Sequence, residues 1–420
     1  MINDYNSNNL YHCLPTIQCK QFTKLMYIII NCKKILNVKE IINDLIKISD
    51  INAKNENGWT ALMIASVNTR NNVDIEIVEL LLKSGADINS INNLGETALM
   101  ICSQYSNIYS TPDIVKLLLK YGANPNIKSY QNLTALILSC MYSGTDSNNE
   151  TVNILLNNGA DINLTCHNNI SALYMSCGIT RKYSNIDTIK ILLKYGANVN
   201  IQESCNGWTP IMLACNYCTT SSTIETVKLL LKSGADINIC DKYGINALFF
   251  ATIVERNDDN LEIVRMLIDG GINVNVVNYC NCNPLLWLIR NNNNYNINQN
   301  NKLIKLLLDA GSDYNLMDNN GKTLLDYIGH NKEIQDIIFV IEKTKNNKNI
   351  IYREIKVVAN IYLYKYGGMR YKLLSMKWLI YKNNLRGLIK FEYLELLDYL
   401  CINDLTSINE KVLDAVNWMD

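Results

Sequence analysis

The sequence predicts an all-α repeat solenoid whose helix pairs are joined by short hairpin loops, followed by a C-terminal helical segment. Three observations point there. One opening motif recurs at a nearly constant period, residues that start and stop helices recur in phase with it, and small side chains return at the same two positions of most units.

The clearest unit opens at Gly58 with Trp59, Thr60, Ala61 and Leu62, and closes at Gly85 with Ala86, Asp87, Ile88 and Asn89. Further openings fall at Gly95, Asn132, Asn169, Gly207, Gly244, Asn281 and Gly321, in steps of 37, 37, 37, 38, 37, 37 and 40 residues.

Within each unit the elements follow in order. Thr60 stands at an N-cap position, where its hydroxyl satisfies a backbone N–H that the first helical turn leaves unpaired. The fifth and sixth residues after it are mainly small across the units: Ala65 and Ser66, Cys102 and Ser103, Ser139 and Cys140, Ser176 and Cys177, Ala214 and Cys215, Ala251 and Thr252. Small side chains there let neighbouring helices approach closely. Ile77, Val78, Leu81 and Leu82 put one apolar face on a second helix. Gly85 stops that helix in a left-handed conformation, and Asp87 and Asn89 supply turn chemistry for the next hairpin.

These motifs resemble the ankyrin repeat family, whose unit of about 33 residues is a β-turn followed by two antiparallel helices. The resemblance covers residues 38–345. Two departures stand out. The histidine of the usual opening is replaced by Met63, Met100, Ile137, Tyr174, Met212, Phe249, Leu286 and Leu325, and most units are about four residues longer than the family's. The extra residues fall between the paired helices, near residues 68–74, 104–113, 142–150, 178–187, 216–224, 254–260 and 290–301, where they are expected to form a polar ridge. Loops accept such insertions because closure entropy grows slowly with length.

The expected organisation is a tail and cap over 1–37, an array of about eight repeats plus an N-terminal half-repeat over 38–345, and a helical segment over 346–420. Val38–Ile48 reads as the second half of the first repeat. Between residues 343 and 390 basic residues and tyrosines interleave around a single acid, Glu354, and from 391 the balance turns acidic. Basic groups with aromatics suit single-stranded nucleic acid; a helical cap whose two parts neutralise each other is the simpler expectation. The stretch with Leu388, Tyr399, Leu400, Asp404, Leu405 and Trp418 resembles an F-box, a helical motif that binds the adaptor of a ubiquitin-ligase complex. It has Ile389 where proline usually follows the first leucine. Ankyrin arrays with such tails resemble substrate adaptors of large DNA viruses, and the abundance of Asn, Ile, Lys and Tyr fits an A/T-rich genome.

Composition narrows the chemistry. Lys plus Arg and Asp plus Glu both number 39, so the whole chain has no field drawing it to polyanions. The start lacks a secretory pattern, and the apolar run Leu25–Ile30 is far short of a membrane span. The 14 cysteines are therefore expected as free thiols in a reducing cytoplasm or nucleus. Of the three histidines, His12, His167 and His330, none sits in a nucleophile or metal motif, and no phosphate-binding glycine loop is present. Cys215 with Cys218, and Cys280 with Cys282, have spacings that zinc could use, but Cys215 falls in the small-residue packing column.

The expected function is therefore not enzymatic and needs no cofactor. A monomeric scaffold away from membranes binds another protein. The resemblance puts its recognition surface on the hairpin tips and inner helices, with Tyr130, His167, Glu203, Lys242, Tyr243 and Tyr279 as the tip residues facing the partner. The rival expectations are a ubiquitin-ligase substrate adaptor and a nucleic-acid binder.

Overall fold

The computed structural model describes residues 23–70, 73–179, 186–216, 224–253, 258–291, 301–329 and 334–340, with residues 332 and 342. The helices come in pairs. They are α1 (Lys24–Ile30) with α2 (Val38–Ile48), α3 (Ala61–Val67) with α4 (Ile75–Lys83), and α5 (Ala98–Gln104) with α6 (Pro112–Lys120). Next come α7 (Ala135–Met141) with α8 (Asn149–Asn157), α9 (Ala172–Ile179) with α10 (Ile186–Lys194), and α11 (Pro210–Asn216) with α12 (Ile224–Lys232). The last are α13 (Ala247–Ile253) with α14 (Asp258–Asp269), α15 (Pro284–Asn291) with α16 (Asn301–Asp309), and the short α17 (Leu324–Ile328). Odd-numbered helices pack against one another in one row, and each packs on its even-numbered mate in a second row. The fold is an all-α repeat solenoid.

Capping starts the inner helices where the sequence places them. Thr60, Thr97, Thr134 and Thr209 accept the backbone N–H three residues on at 3.2–3.4 Å, Ser171 does so at 3.1 Å and Asn283 at 2.9 Å. At the other end of each unit, Gly85 has φ 88° and Gly122 has φ 92°. A Cβ on either would meet no atom within 4 Å. What these two glycines supply is left-handed backbone, not room.

Every residue of α3, α5 and α7 is buried. The column that replaces the expected histidine becomes a continuous apolar seam: Met63, Met100, Ile137, Tyr174, Met212, Phe249 and Leu286 are all buried, and the seam ends at Leu325, which is exposed. Beside it runs a seam of thiols and hydroxyls. Burial pushes the Cys102 and Cys140 thiols up to about 12 and raises that of Cys177, which removes the thiolate needed for reactivity.

The first helix pair is present in both its members, where the sequence suggests only the second. Thr23 accepts the Met26 amide at 3.2 Å, and α1 buries Leu25, Met26 and Ile29 as it packs on α2 and α3. It lacks the Gly or Asn that opens the other units two residues before the cap, so its cap and its packing declare it.

The first three inter-helix loops are polar, as expected, but they are not simply solvated. Arg70 donates its amide to the Tyr109 carbonyl at 3.1 Å, and Asn107 donates to the Asp146 carbonyl at 2.8 Å. The buried Ser106 is held by Ser147 at 3.2 Å and by the Thr151 hydroxyl at 2.7 Å. These loops lock one repeat to the next. The later insertions lie largely outside the described residues.

Two compact units divide the chain, residues 1–329 and 330–420. In the second, residues 334–340 are helical, with Ile334 and Ile338 buried and Phe339 and Val340 exposed. Among the described residues, no helix is long and apolar enough to cross a membrane.

Candidate partner-binding surface

The hairpins between helix pairs are held at two levels, foot and tip. At the foot, Asp and Asn side chains form a ladder through the stack. Within a hairpin, Asp87 accepts the Asn89 amide at 3.1 Å, and Asn124 accepts that of Asn126 at 3.0 Å. Between hairpins, Asn52 accepts the Asp87 amide at 2.8 Å, Asn89 that of Asn124 at 3.0 Å, and Asn126 that of Asp161 at 2.7 Å. The same links continue through Asn163, Asn200, Asn238 and Asn275 as far as the Asp313 amide. Each Oδ1 fills an acceptor role that only a short carboxylate or carboxamide can reach.

At most tips, one buried side chain caps the turn from inside. Asn92 accepts the amides of Leu94 and Glu96, and Asp241 those of Tyr243 and Ile245, all at 2.8–2.9 Å. Asp318 accepts those of Asn320 and Lys322 at 2.8 and 3.0 Å, takes the Tyr327 hydroxyl proton bond at 2.6 Å, and faces Arg290 at 3.5 Å. The Tyr327 hydroxyl first, then the backbone amides and Arg290, hold the Asp318 carboxyl below the ordinary aspartate range against its own burial.

Neighbouring tips are joined by backbone bonds. Tyr130 donates its amide to the Leu94 carbonyl at 3.1 Å, Ser204 to Asn168 at 2.7 Å, Lys242 to Asn206 at 2.9 Å and Tyr279 to Tyr243 at 2.9 Å. At two of these junctions the approach requires the glycine that opens the unit. A Cβ on Gly95 would lie 2.6 Å from the Tyr130 nitrogen, and one on Gly244 would lie 2.6 Å from the Val277 carbonyl oxygen.

The expected tip residues divide on this frame. Tyr130 is 66% exposed, Tyr279 62% and Tyr243 49%, and Lys242 and His167 are also exposed. The Tyr243 and Tyr279 rings meet edge to face at 5.8 Å, and Tyr279 meets Trp287 of α15 in the same way at 6.3 Å. His167 Nε2 lies 3.4 Å from the Tyr130 carbonyl oxygen. Glu203 departs from expectation. It is only 5% exposed, and its carboxylate accepts the amides of Cys205, Asn206 and Trp208 at 2.5–3.3 Å. Burial pushes this carboxyl up, and the surrounding amides outweigh it, leaving the group below the ordinary glutamate range. Glu203 is a turn cap, the same part that Asp241 and Asp318 play, and it is turned away from the surface.

Two further expectations change. The inner helices α3, α5 and α7 offer no exposed side chain, since neighbours cover both their flanks. Elsewhere on the inner row side chains do show, with Tyr27 of α1 exposed and Met175, Trp287 and Arg290 partly covered. Leu94, which is 49% exposed, joins the tip residues. Its signal was an apolar residue just before an opening glycine, in a column held elsewhere by Asn57, Gln131 and Asn206.

The cysteines do not converge. Cys215 is buried in the inner row, and Cys282 is buried with its sulfur taking the Arg290 guanidinium at 3.6 Å. Among the described residues, no three His, Cys, Asp or Glu side chains group to hold a metal ion. Cys218, His12, His330 and the F-box-like residues Leu388, Tyr399, Leu400, Asp404, Leu405 and Trp418 lie outside the described residues, as does the whole of the basic and aromatic stretch 343–390.

Comparison with known proteins agrees with this geometry. The family described as ankyrin repeats (three copies) matches at residues 25–129, 69–166, 136–239 and 216–318. Several ankyrin repeat proteins of Acanthamoeba polyphaga mimivirus are similar. One is 44% identical over 87 residues, covering 19% of this chain and 14% of the relative. Another is 26% identical over 210 residues, covering 43% and 35%, and a third is 29% identical over 163 residues, covering 38% and 25%. The chain thus matches about a third or less of the length of these relatives. Among solved structures, the ankyrin repeat domain of Bcl-3 aligns over 55% of this chain and 95% of its own, at 25% identity and a TM-score of 0.46. The four matches of the family run without a break from residue 25 to residue 318, through every capped hairpin but the last, and the chain belongs to the ankyrin repeat family.

Proposed function

We propose that the array is a protein-recognition module that binds its partner through the hairpin tips. One observation carries this reading: large apolar side chains, Leu94, Tyr130, Tyr243 and Tyr279, stand exposed on tips whose backbones are hydrogen-bonded to one another. Exposed aromatic residues on a rigid support suit interface anchors, because little side-chain freedom is lost when they are covered. The buried thiols and inward-turned carboxylates favour binding over chemistry, since they serve packing and turn capping.

A second reading rests on the F-box-like residues of the C-terminal segment, with the array holding a substrate and residues 388–420 holding a ubiquitin-ligase adaptor. One affinity purification addresses both. The full chain, a form ending at residue 345, and the triple variant Tyr130→Ala, Tyr243→Ala, Tyr279→Ala are compared by mass spectrometry. Recognition at the tips predicts a partner kept by the truncated form and weakened about a hundredfold by the triple variant. A partner captured equally by the triple variant would refute tip recognition. An adaptor subunit lost only on truncation would support the second reading, and its absence from the full-length sample would remove it.

A further inference from the structure

We propose that the tips take a single extended, acidic polypeptide segment carrying two apolar anchors about eleven residues apart. This deepens the tip reading above and rests on it.

The tips meet in pairs, one residue accepting and the next repeat's residue donating the backbone bond. Two of these junctions are apolar, Leu94 with Tyr130 and Tyr243 with Tyr279, and they use the same two positions of the repeat. Between them lie three polar junctions: His167, whose Nε2 lies 3.4 Å from the Tyr130 carbonyl oxygen, Asn168 with Ser204, and Asn206 with Lys242. The apolar junctions are thus four steps apart. Packed helices advance about 8–10 Å per step, so the two stand about 32–40 Å apart along the stack. An extended chain rises about 3.3 Å per residue and covers that distance in about 10–12 residues.

The polar junctions favour an extended occupant over a helical one. A helix satisfies its own amides and carbonyls, whereas an extended segment needs outside partners, and the amide, hydroxyl and imidazole groups of the three middle junctions are such partners.

Charge selects the sign. Across the tip residues 91–95, 128–132, 165–169, 202–206, 240–244 and 277–281, the exposed ionic side chains are Lys128 and Lys242. The carboxylates in the same stretches, Glu203 and Asp241, are buried and spent on their own turns. An acidic segment meets complementary charge near both ends of the path, and a basic one meets repulsion without compensation.

The test uses the full chain and a fluorescein-labelled fourteen-residue peptide, read by fluorescence anisotropy. Leucine stands at its second and thirteenth positions, with glutamate and serine alternating elsewhere. Two control peptides replace glutamate by lysine, or bring the leucines within three residues of each other. The acidic, wide-spaced peptide should bind, and each control should bind about tenfold more weakly. Tyr130→Ala and Tyr279→Ala should each cost about tenfold, and both together should abolish binding. The pair Lys128→Glu with Lys242→Glu, which leaves the aromatic junctions untouched, should shift preference to the lysine peptide. No binding of the acidic peptide, equal binding of either control, or indifference to the tyrosines would overturn the inference. If the peptide fails while a captured partner still depends on the tip tyrosines, this inference falls and tip recognition stands; if that partner is also indifferent to them, both fall.

Discussion

The foot and the tip of each hairpin use the same turn chemistry to opposite ends. At the foot throughout, and at most tips, an Asp or Asn oxygen accepts an amide two residues on. At the foot, the second side chain of each pair also reaches the next repeat, as Asn89 reaches Asn124 and Asn126 reaches Asp161. A residue doing two jobs has little freedom to change, and Asp or Asn recurs at the foot of every hairpin. At the tip, the capping side chain faces inward and its neighbours face out, so Asn93, Tyr130, His167, Ser204, Lys242 and Tyr279 share one position without disturbing the frame. Constancy at the foot is what makes variation at the tip possible.

Substitution at glycine should separate the two levels most sharply. Gly95 combines φ 77° with a close approach to Tyr130, so Gly95→Ala is expected to cost about 3 kcal/mol and to open the Leu94–Tyr130 junction. Gly85→Ala adds the left-handed strain without the clash and is expected to cost about 1–2 kcal/mol. Urea unfolding of both variants measures the gap. Equal costs would mean that close approach of the tips adds nothing to stability.

Next in size is the buried carboxylate at the last tip. The folded Asp318 carboxyl is held below its ordinary value, so its stabilisation is present above about pH 4 and is lost as pH falls through the folded value. Asp318→Asn is expected to cost about 2 kcal/mol at neutral pH and to flatten the fall in stability below pH 4. Thermal melts from pH 7 down to pH 2 check both, and an unchanged acid limb would show that other carboxylates govern it.

The smallest expected change tests the foot. Asn126→Ala removes the acceptor for Asp161 and the donor to the Gly159 carbonyl, both at exposed positions, and is expected to cost about 1 kcal/mol. Hydrogen exchange should show faster exchange of the Asp161 amide, with the tip amide of Tyr130 unchanged. Equal acceleration at both would join foot and tip into one cooperative unit.

Much of this architecture was legible in advance because it is local. A threonine caps the amide three residues on, a glycine turns the chain at its own position, and an Asp or Asn takes an amide two residues away. Each needs only a few neighbouring residues, so the period, the helix starts and the helix stops can be read from the chain. The helix Lys24–Ile30 escaped because it has the cap without the motif. Glu203 escaped because its sequence context is that of an exposed tip, and only the fold shows three amides converging on its carboxylate.

By itself, the sequence determined the repeat, the order of helices and hairpins, and the turn chemistry at the hairpin feet. The tertiary structure decided what remains exposed. It buried α3, α5 and α7 between neighbours some 37 residues away in the chain, turned Glu203 inward, and placed Leu94 beside Tyr130 and Tyr243 beside Tyr279. Burial and adjacency across repeats depend on how units stack, and no residue encodes its distance to a neighbour one repeat away.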